Sequence, residues 1–377
     1  MVFMRCPSRP WRTSGIGTVC ALVQAISVVV ALAGVASPVN AQNAPTPRPP
    51  PRPAPTPTMI NSTVSADSAV IDLGSNFLER LGTTNGFSRM LRTNPGGGGA
   101  SESAEGPRYR TWFEGYGISA NNGPLGFFVG DNRKTWGGVA GIGARVMPGV
   151  NIGFSVDQSR TAIDVPLALQ SATIDLTQLG FNASVDSGPW TWAMALVHGL
   201  GNIDTRRDTG FGFGFASAGY NARLDGAISE ISYYWSKDQN RIVPKAAFEY
   251  VHARTGSFQE IGGFDPLMVT GSTVERVRLL VGAEVGHYWI FDQKILDLSA
   301  YGKFIDNLVQ NFSDITVSLG TQSITLQGIG ESRYGADVGA SASLSLSNTA
   351  RFYLNYDAKF RAAMQSHQGT LGVEFKW

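Results

Sequence analysis

From about residue 108 onward the chain alternates with period two, in segments longer than ordinary soluble strands. A β-strand sends successive side chains to opposite faces, so each such segment has one apolar and one polar face. At the end of the chain, Leu371, Val373, Phe375 and Trp377 share one parity, while Thr370, Gly372, Glu374 and Lys376 share the other. Phe352, Leu354, Tyr356, Ala358 and Phe360 likewise alternate with Arg351, Tyr353, Asn355, Asp357 and Lys359. Tyr334, Ala336, Val338, Ala340, Ala342 and Leu344 oppose Arg333, Asp337, Ser341 and Ser343. Val277, Leu279, Val281, Ala283 and Val285 oppose Arg276, Arg278 and Glu284, and Ala246, Phe248 and Tyr250 oppose Lys245 and Glu249.

Turn signals divide these segments at Pro148-Gly149, Ser187-Gly188-Pro189, Lys237-Asp-Gln-Asn240, Phe291-Asp292-Gln293 and Ser347-Asn348. Longer Gly-rich stretches lie between, around 120–133, 163–169, 207–217, 258–272 and 306–329. Short turns on one side and long loops on the other are the pattern of a membrane barrel. The spacing predicts twelve strands: 110–119, 134–147, 150–162, 170–186, 190–205, 218–236, 241–256, 273–290, 294–305, 331–346, 350–360 and 367–377. The expected fold is all-β, a twelve-stranded antiparallel transmembrane β-barrel with both ends on the periplasmic side. Trp112, Trp136, Trp190, Trp192, Trp235, Trp289 and Trp377 fall near strand ends and read as an interfacial aromatic girdle. Two strands fit less well. Glu114 shares parity with Trp112 and Tyr116, and the sixth strand changes parity between Ile228 and Ile231, which suggests a bulge there.

Composition excludes other classes. Charged residues make up 16% of the 377-residue chain, below the roughly 25% of soluble domains. After residue 35 no apolar run reaches the roughly 18 residues of a membrane helix. A formal net charge of +1 offers no basic surface for nucleic acid.

The first 41 residues read as a secretory signal: Arg5, Arg9 and Arg12, an apolar stretch from Val19 to Val35, then the small-residue site Val39-Asn40-Ala41. Cys6 and Cys20 are the only cysteines and both lie in it, so thiol chemistry and disulfides drop out of residues 42–377. Between Pro45 and Pro57 eight of thirteen residues are proline, a polyproline-type spacer within an exported segment or linker over 42–64. A helix is expected over 65–92. Ser65 or Asp67 would cap it, and Val70, Leu73, Phe77 and Leu81 form its apolar stripe. Asn85-Gly86 ends the first part, and Phe87, Met90 and Leu91 add a further turn. Residues 93–107, with Gly96 to Gly99, read as a hinge before a barrel domain over 108–377. The inward charges Arg276, Arg278, Glu284, Arg333, Asp337, Arg351 and Asp357 are candidates to pair with Asp72, Glu79 and Arg80 on that helix.

No pattern points to catalysis, a cofactor or a metal. Gly210-Phe-Gly-Phe-Gly-Phe215 lacks the strand–turn–helix context of a nucleotide loop. His198, His252, His287 and His367 form no close-spaced ligand pair, and nothing in the spacing joins His198 to Asp204 or Asp208.

The order of signal, short segment, helix, hinge and barrel resembles the translocators of autotransporters (type V secretion). Pro244-Lys-Ala-Ala-Phe-Glu-Tyr250 followed by Phe258-Gln-Glu260-Ile-Gly262-Gly263 is similar to that family's pattern, as are Trp112 in the first strand and the Gly372–Trp377 ending. The resemblance spans about 65–377. It implies a monomeric outer-membrane barrel of a Gram-negative bacterium, with the helix threaded through the lumen and the segment before it exported. It further implies contact with outer-membrane lipids and lipopolysaccharide, and assembly by the barrel-assembly machinery and periplasmic chaperones. In that reading Leu371, Val373, Phe375 and Trp377 form the assembly signal. The departure is the passenger, usually several hundred residues and here almost absent. A plugged passive channel or a structural outer-membrane protein is the alternative.

Overall fold

The computed structural model describes residues 54–82 and 108–377, apart from positions 211, 213, 293 and 348. The signal, most of the Pro-rich segment, the expected helix beyond residue 82 and the hinge lie outside the described residues.

The barrel strands are β1 (Tyr109–Asn122), β2 (Asp131–Met147), β3 (Val150–Val165), β4 (Gln170–Ser187), β5 (Trp190–Asp208) and β6 (Phe215–Tyr233). They continue with β7 (Asn240–Thr255), β8 (Ser272–Phe291), β9 (Lys294–Phe312), β10 (Tyr334–Ser345), β11 (Ala350–Phe360) and β12 (Met364–Lys376). Each pairs antiparallel with its sequence neighbours, and β12 pairs back onto β1 from Arg110↔Lys376 to Asn122↔Met364. The sheet therefore closes into a barrel of twelve strands. Closure matters because lipid offers no hydrogen-bond partners to an open edge. The end of the chain is held on both sides: the Trp377 N–H donates to the Tyr109 carbonyl, and the Lys376 N–H to that of Thr349.

The two faces separate as the alternation requires. Leu371, Phe375, Phe352, Leu354, Tyr356, Val281 and Val285 stand exposed on the outer wall, where a bilayer covers them. Glu374, Arg351, Asp357, Asp337, Glu284, Arg276 and Arg278 are buried on the inner wall. A buried charge is costly unless it is paired, and most of these are paired across strands.

Four expectations need correction. Trp112 is not part of the outer girdle: it lies buried on the inner wall over Gly141, where any Cβ would collide with its ring. Tyr116 and Ile118 face inward into the apolar cluster they share with the helix, Trp112 packs on the inner wall beside Gly141 and Arg110, and Glu114 takes the same parity to meet Arg80. The sixth strand has no bulge between Ile228 and Ile231. Leu224 and Ile228 point into the filled lumen while Ile231 points out, so the register is continuous and only the polarity of the inner face changes. The interruption comes later, at Tyr234, after which Trp235–Lys237 still pairs with β7. Register irregularities fall instead at Arg145/Met147 and Val277/Arg278.

The fourth concerns the loop expected at 306–329. β9 runs to Phe312, and Asp314–Leu319 and Gln322–Gln327 form a hairpin around Gly320, whose φ of 62° suits glycine. The hairpin joins Met268–Val269 and Phe258–Gln259 in a small four-stranded sheet at the long-loop end. The alternation of Ile315, Val317 and Leu319 was a usable signal for it.

Candidate functional site: the filled lumen

A short 3₁₀ turn, Pro57–Ile60, leads into helix α1, Asn61–Leu81. Proline is at ease there because a first helical N–H has no intrahelical partner in any case. At about 1.5 Å per residue the 21 residues extend about 31 Å, enough to cross the roughly 25 Å apolar band. The helix therefore starts before 65, and Ser65 and Asp67 are interior residues, not caps. The barrel caps it instead. The Ser62 N–H donates to Gln170 Oε1 at 2.8 Å, and Gln170 Nε2 donates to the Thr58 carbonyl at 2.8 Å. At the other end Arg80 sits in the last turn, where the helix dipole favours a cation.

The helix lies against β3 to β8. Val70, Leu73, Phe77 and Leu81, the expected stripe, are all buried, as are Val64, Ile71 and Leu78. Glycines make room for this face. A Cβ on Gly226 would lie 2.8 Å from Leu78, and one on Gly180 would meet Phe77 and Leu81. Conversely, Gly74 of the helix receives Leu224 of β6, 2.5 Å from where its Cβ would be. A glycine inside a helix costs about 1 kcal/mol relative to alanine, and this close approach accounts for it.

The remaining helix face is polar and reaches β7 and β8 and, beyond them, β1, β2, β9 and β11. Asp72 accepts from Arg133 of β2 at 3.1 Å and from Arg276 of β8 at 2.9 Å. Glu79 accepts from Arg278 of β8 at 3.2 Å, Lys303 of β9 at 2.8 Å and Lys359 of β11 at 2.9 Å. Ser75 donates to Glu249 at 2.8 Å and accepts from Arg276 at 2.7 Å. Lys359 also donates to Asn76 at 2.6 Å, and Ser272 donates to Asp67 at 2.5 Å. Arg80 lies 3.5 Å from Glu114 and stacks over the Tyr116 ring at 3.5 Å.

Of the seven inward charges expected to meet the helix, only Arg276 and Arg278 do. Glu284 pairs with Arg241 and Lys245, Asp337 with Arg361, Arg351 with Glu374, and Asp357 accepts from Tyr301. Arg333 precedes the first residue of β10, is exposed, and pairs with Asp306 at 3.1 Å on the rim. The sequence reading missed Arg133, Lys303, Lys359, Glu114, Gln170 and Ser272. Each lies on its strand's inward parity, but height in the barrel decides which of them meets the helix.

The long-loop mouth is closed above the helix. Ile60, Val64, Phe258, Leu267, Val317 and Leu319 share one buried apolar cluster. The Val129 N–H donates to the Asn61 side chain at 2.9 Å. Arg207 clamps Glu260 at 2.5 Å, which fixes the 258–271 loop over the mouth. In the loop before β10, Glu331 takes Arg276 at 2.8 Å and Arg361 at 3.2 Å. Burial pushes its carboxyl up, but Arg276 and Arg361 outweigh that and hold it well below the usual carboxylate range. A cavity of about 40 Å³ remains beside Asp72 and Asn76, lined by Ile118, Arg133 and Lys359.

The histidines stay outside this network. His198 pairs with Asp225 at 2.8 Å in an exposed position, and His252 lies 3.3 Å from Glu275. The structure does not bring His198 together with Asp204 or Asp208.

A closed twelve-stranded barrel with a helix in its lumen matches what the family comparison finds: residues 111–357 match the autotransporter β-domain. The chain belongs to that family. It is an outer-membrane autotransporter barrel. Among solved structures it is similar to the translocator domain of the autotransporter NalP from Neisseria meningitidis, at 15% identity and a TM-score of 0.66, over 85% of this chain and 99% of that one. It is also similar to the β-domain of the Bordetella autotransporter BrkA, at 13% identity and a TM-score of 0.51, over 72% of this chain and 100% of that one. No curated protein matches the chain significantly. In this autotransporter barrel, Pro244–Tyr250 forms part of β7, and Glu260 and the glycines after it form the clamped loop.

Proposed function

We propose that this autotransporter barrel exports and displays the segment preceding its helix, and then keeps that helix as a plug. The direction of α1 carries this reading. Its first turn contacts Val129 and Gln170 in the long-loop half, while Glu79 and Arg80 lie deeper, against Lys303 and Glu114. Long loops face the exterior in such barrels and short turns face the periplasm. The start of the helix therefore lies at the outer end, although the barrel that follows begins at the periplasmic end. A polypeptide reaches that arrangement by passing through the lumen.

The reading assigns no catalysis and no cofactor. It includes the assembly machinery as a partner: the outward-facing Leu371, Val373, Phe375 and Trp377 serve as its recognition strand. The mature protein is a monomeric barrel in lipid and lipopolysaccharide.

A reporter fused after Ala41 tests the proposal. Surface exposure of the reporter in intact cells is the expected result, and a reporter confined to the periplasm overturns it. Planar-bilayer conductance tests the plug. The intact chain should conduct little, and removal of residues 54–82 should open it. Open-pore conductance of the intact chain would favour a passive channel.

A further inference from the structure

We infer that Asp72 and Glu79 are positioning residues that arrest the exported chain at a single register, and so set how much of it emerges. The inference rests on the export reading above and concerns where transport stops.

Asp72 and Glu79 are seven residues apart, two helical turns, and so lie on one face. Their cations come from separated strands. Asp72 is held between β2 and β8, and Glu79 between β8, β9 and β11. Each carboxylate is thus fixed laterally and in height. Sliding the helix by one turn either way would bring Asn76 and Thr83, or Ser68 and Ser75, to these positions. Neither pair carries a charge. A slide of seven residues brings Glu79 with Gly86, or Ser65 with Asp72, so one of the two cationic sites stays empty. In each case buried cations among Arg133, Arg276, Arg278 and Lys303, and the half-buried Lys359, lose their helix partner, the costly half of a broken buried pair.

The apolar wall adds a steric key. Leu224 fills the space where Gly74 has no side chain. The same slides would put Leu78, Val70, Leu81 or Asp67 there, and a Cβ at that point is already 2.5 Å from a Leu224 methyl. Apolar packing alone tolerates sliding between similar side chains. Two carboxylates and one glycine together select one register. In that register Thr56 is exposed and Ala66 is fully buried.

The test uses the full chain in the outer membrane of intact cells. Residues 21–377 contain no cysteine, so single cysteines at Thr56 (Thr56→Cys) or Ala66 (Ala66→Cys) report exposure to a membrane-impermeant maleimide. With the native carboxylates, the Thr56→Cys chain should label rapidly and the Ala66→Cys chain hardly at all. Adding Asp72→Asn and Glu79→Gln should speed labelling of the Ala66→Cys chain by about a hundredfold. The conservative exchange Asp72→Glu with Glu79→Asp should return it toward the native rate. Heat-dependent gel mobility, read in parallel, should show an intact barrel in every variant. Unchanged labelling in the Asn/Gln chain, or loss of the barrel itself, overturns the register assignment. Absence of labelling in the Thr56→Cys chain with native carboxylates would instead defeat the export reading.

Discussion

The shell and the plug of this molecule are held by different forces. Each strand of the shell is joined to two neighbours by main-chain hydrogen bonds, and in lipid no water replaces a lost one. The plug holds to the wall through side chains, namely apolar packing on Gly180 and Gly226 and ionic pairs at Asp72 and Glu79. Shell contacts cannot be given up piecemeal, because an unpaired strand in the membrane is an open edge. Plug contacts can be lost one at a time, and the helix then undocks by degrees. Damage to the shell should therefore be all-or-none in outer-membrane abundance. Damage to the plug should be graded in helix protection, with abundance intact.

The largest effect belongs to the seam. Deleting Phe375–Trp377 removes the pairings Thr111↔Phe375 and Arg110↔Lys376 on one side and Ala350↔Phe375 on the other. It also removes the aromatic end of the strand proposed as the assembly signal. Outer-membrane levels of this truncation should collapse, as read by fractionation and heat-dependent mobility. Normal levels would break the contrast between shell and plug at its strongest point.

Next comes Glu79→Ala. It leaves Lys303, Lys359 and Arg278 without their shared partner in the lumen, a loss of about 3–5 kcal/mol for a broken buried pair. Arg278 keeps Glu249, which places the cost toward the low end. At 1.4 kcal/mol per decade this is roughly two to three orders of magnitude in helix opening, readable as hydrogen exchange along α1. The barrel should assemble as before. A variant that loses both helix protection and abundance would show that shell and plug fold as one unit.

Gln170→Ala should have a smaller effect. It removes the external cap on the Ser62 N–H and the bond to the Thr58 carbonyl. Loss of a helix cap costs about 0.5–2 kcal/mol, and the effect should be confined to fraying of the first turn. Exchange rates that rise at Asn61–Val64 but stay constant near Glu79 would match this. A uniform rise along the helix would mean that the mouth governs the whole plug.

The same contrast governs what could be read from the chain. The shell was legible because alternation is local: outward residues such as Val281, Leu354 and Leu371, and inward ones such as Arg278, Asp357 and Glu374, needed only their own parity to be placed. The apolar stripe of the plug was also local. Its start was not, since Gln170, which caps it, is 108 positions from Ser62. Nor was its set of ionic partners. Arg276 and Glu284 look alike in pattern on β8, yet one meets Asp72 and the other meets Arg241. The difference is height relative to a helix that occupies only part of the lumen. The misplaced Trp112 is non-local too: it turns inward onto Gly141, which only the pairing of β1 with β2 brings opposite it.

Arg333 provides the smallest effect and the sharpest control. The alternation groups it with Arg276 and Arg278 as an inward charge, but it stands just outside β10, exposed and paired with Asp306 at the rim. Exposed ion pairs are screened by water and salt and add little to stability. Arg333→Ala should leave abundance, heat-dependent mobility and exchange along α1 unchanged, while Arg276→Ala removes one of the two cations on Asp72 and the donor to Ser75, and loosens the helix. If both substitutions perturb α1 equally, parity alone governs the plug and the height argument fails. If only Arg276→Ala does so, the plug is held by the particular cations that reach it.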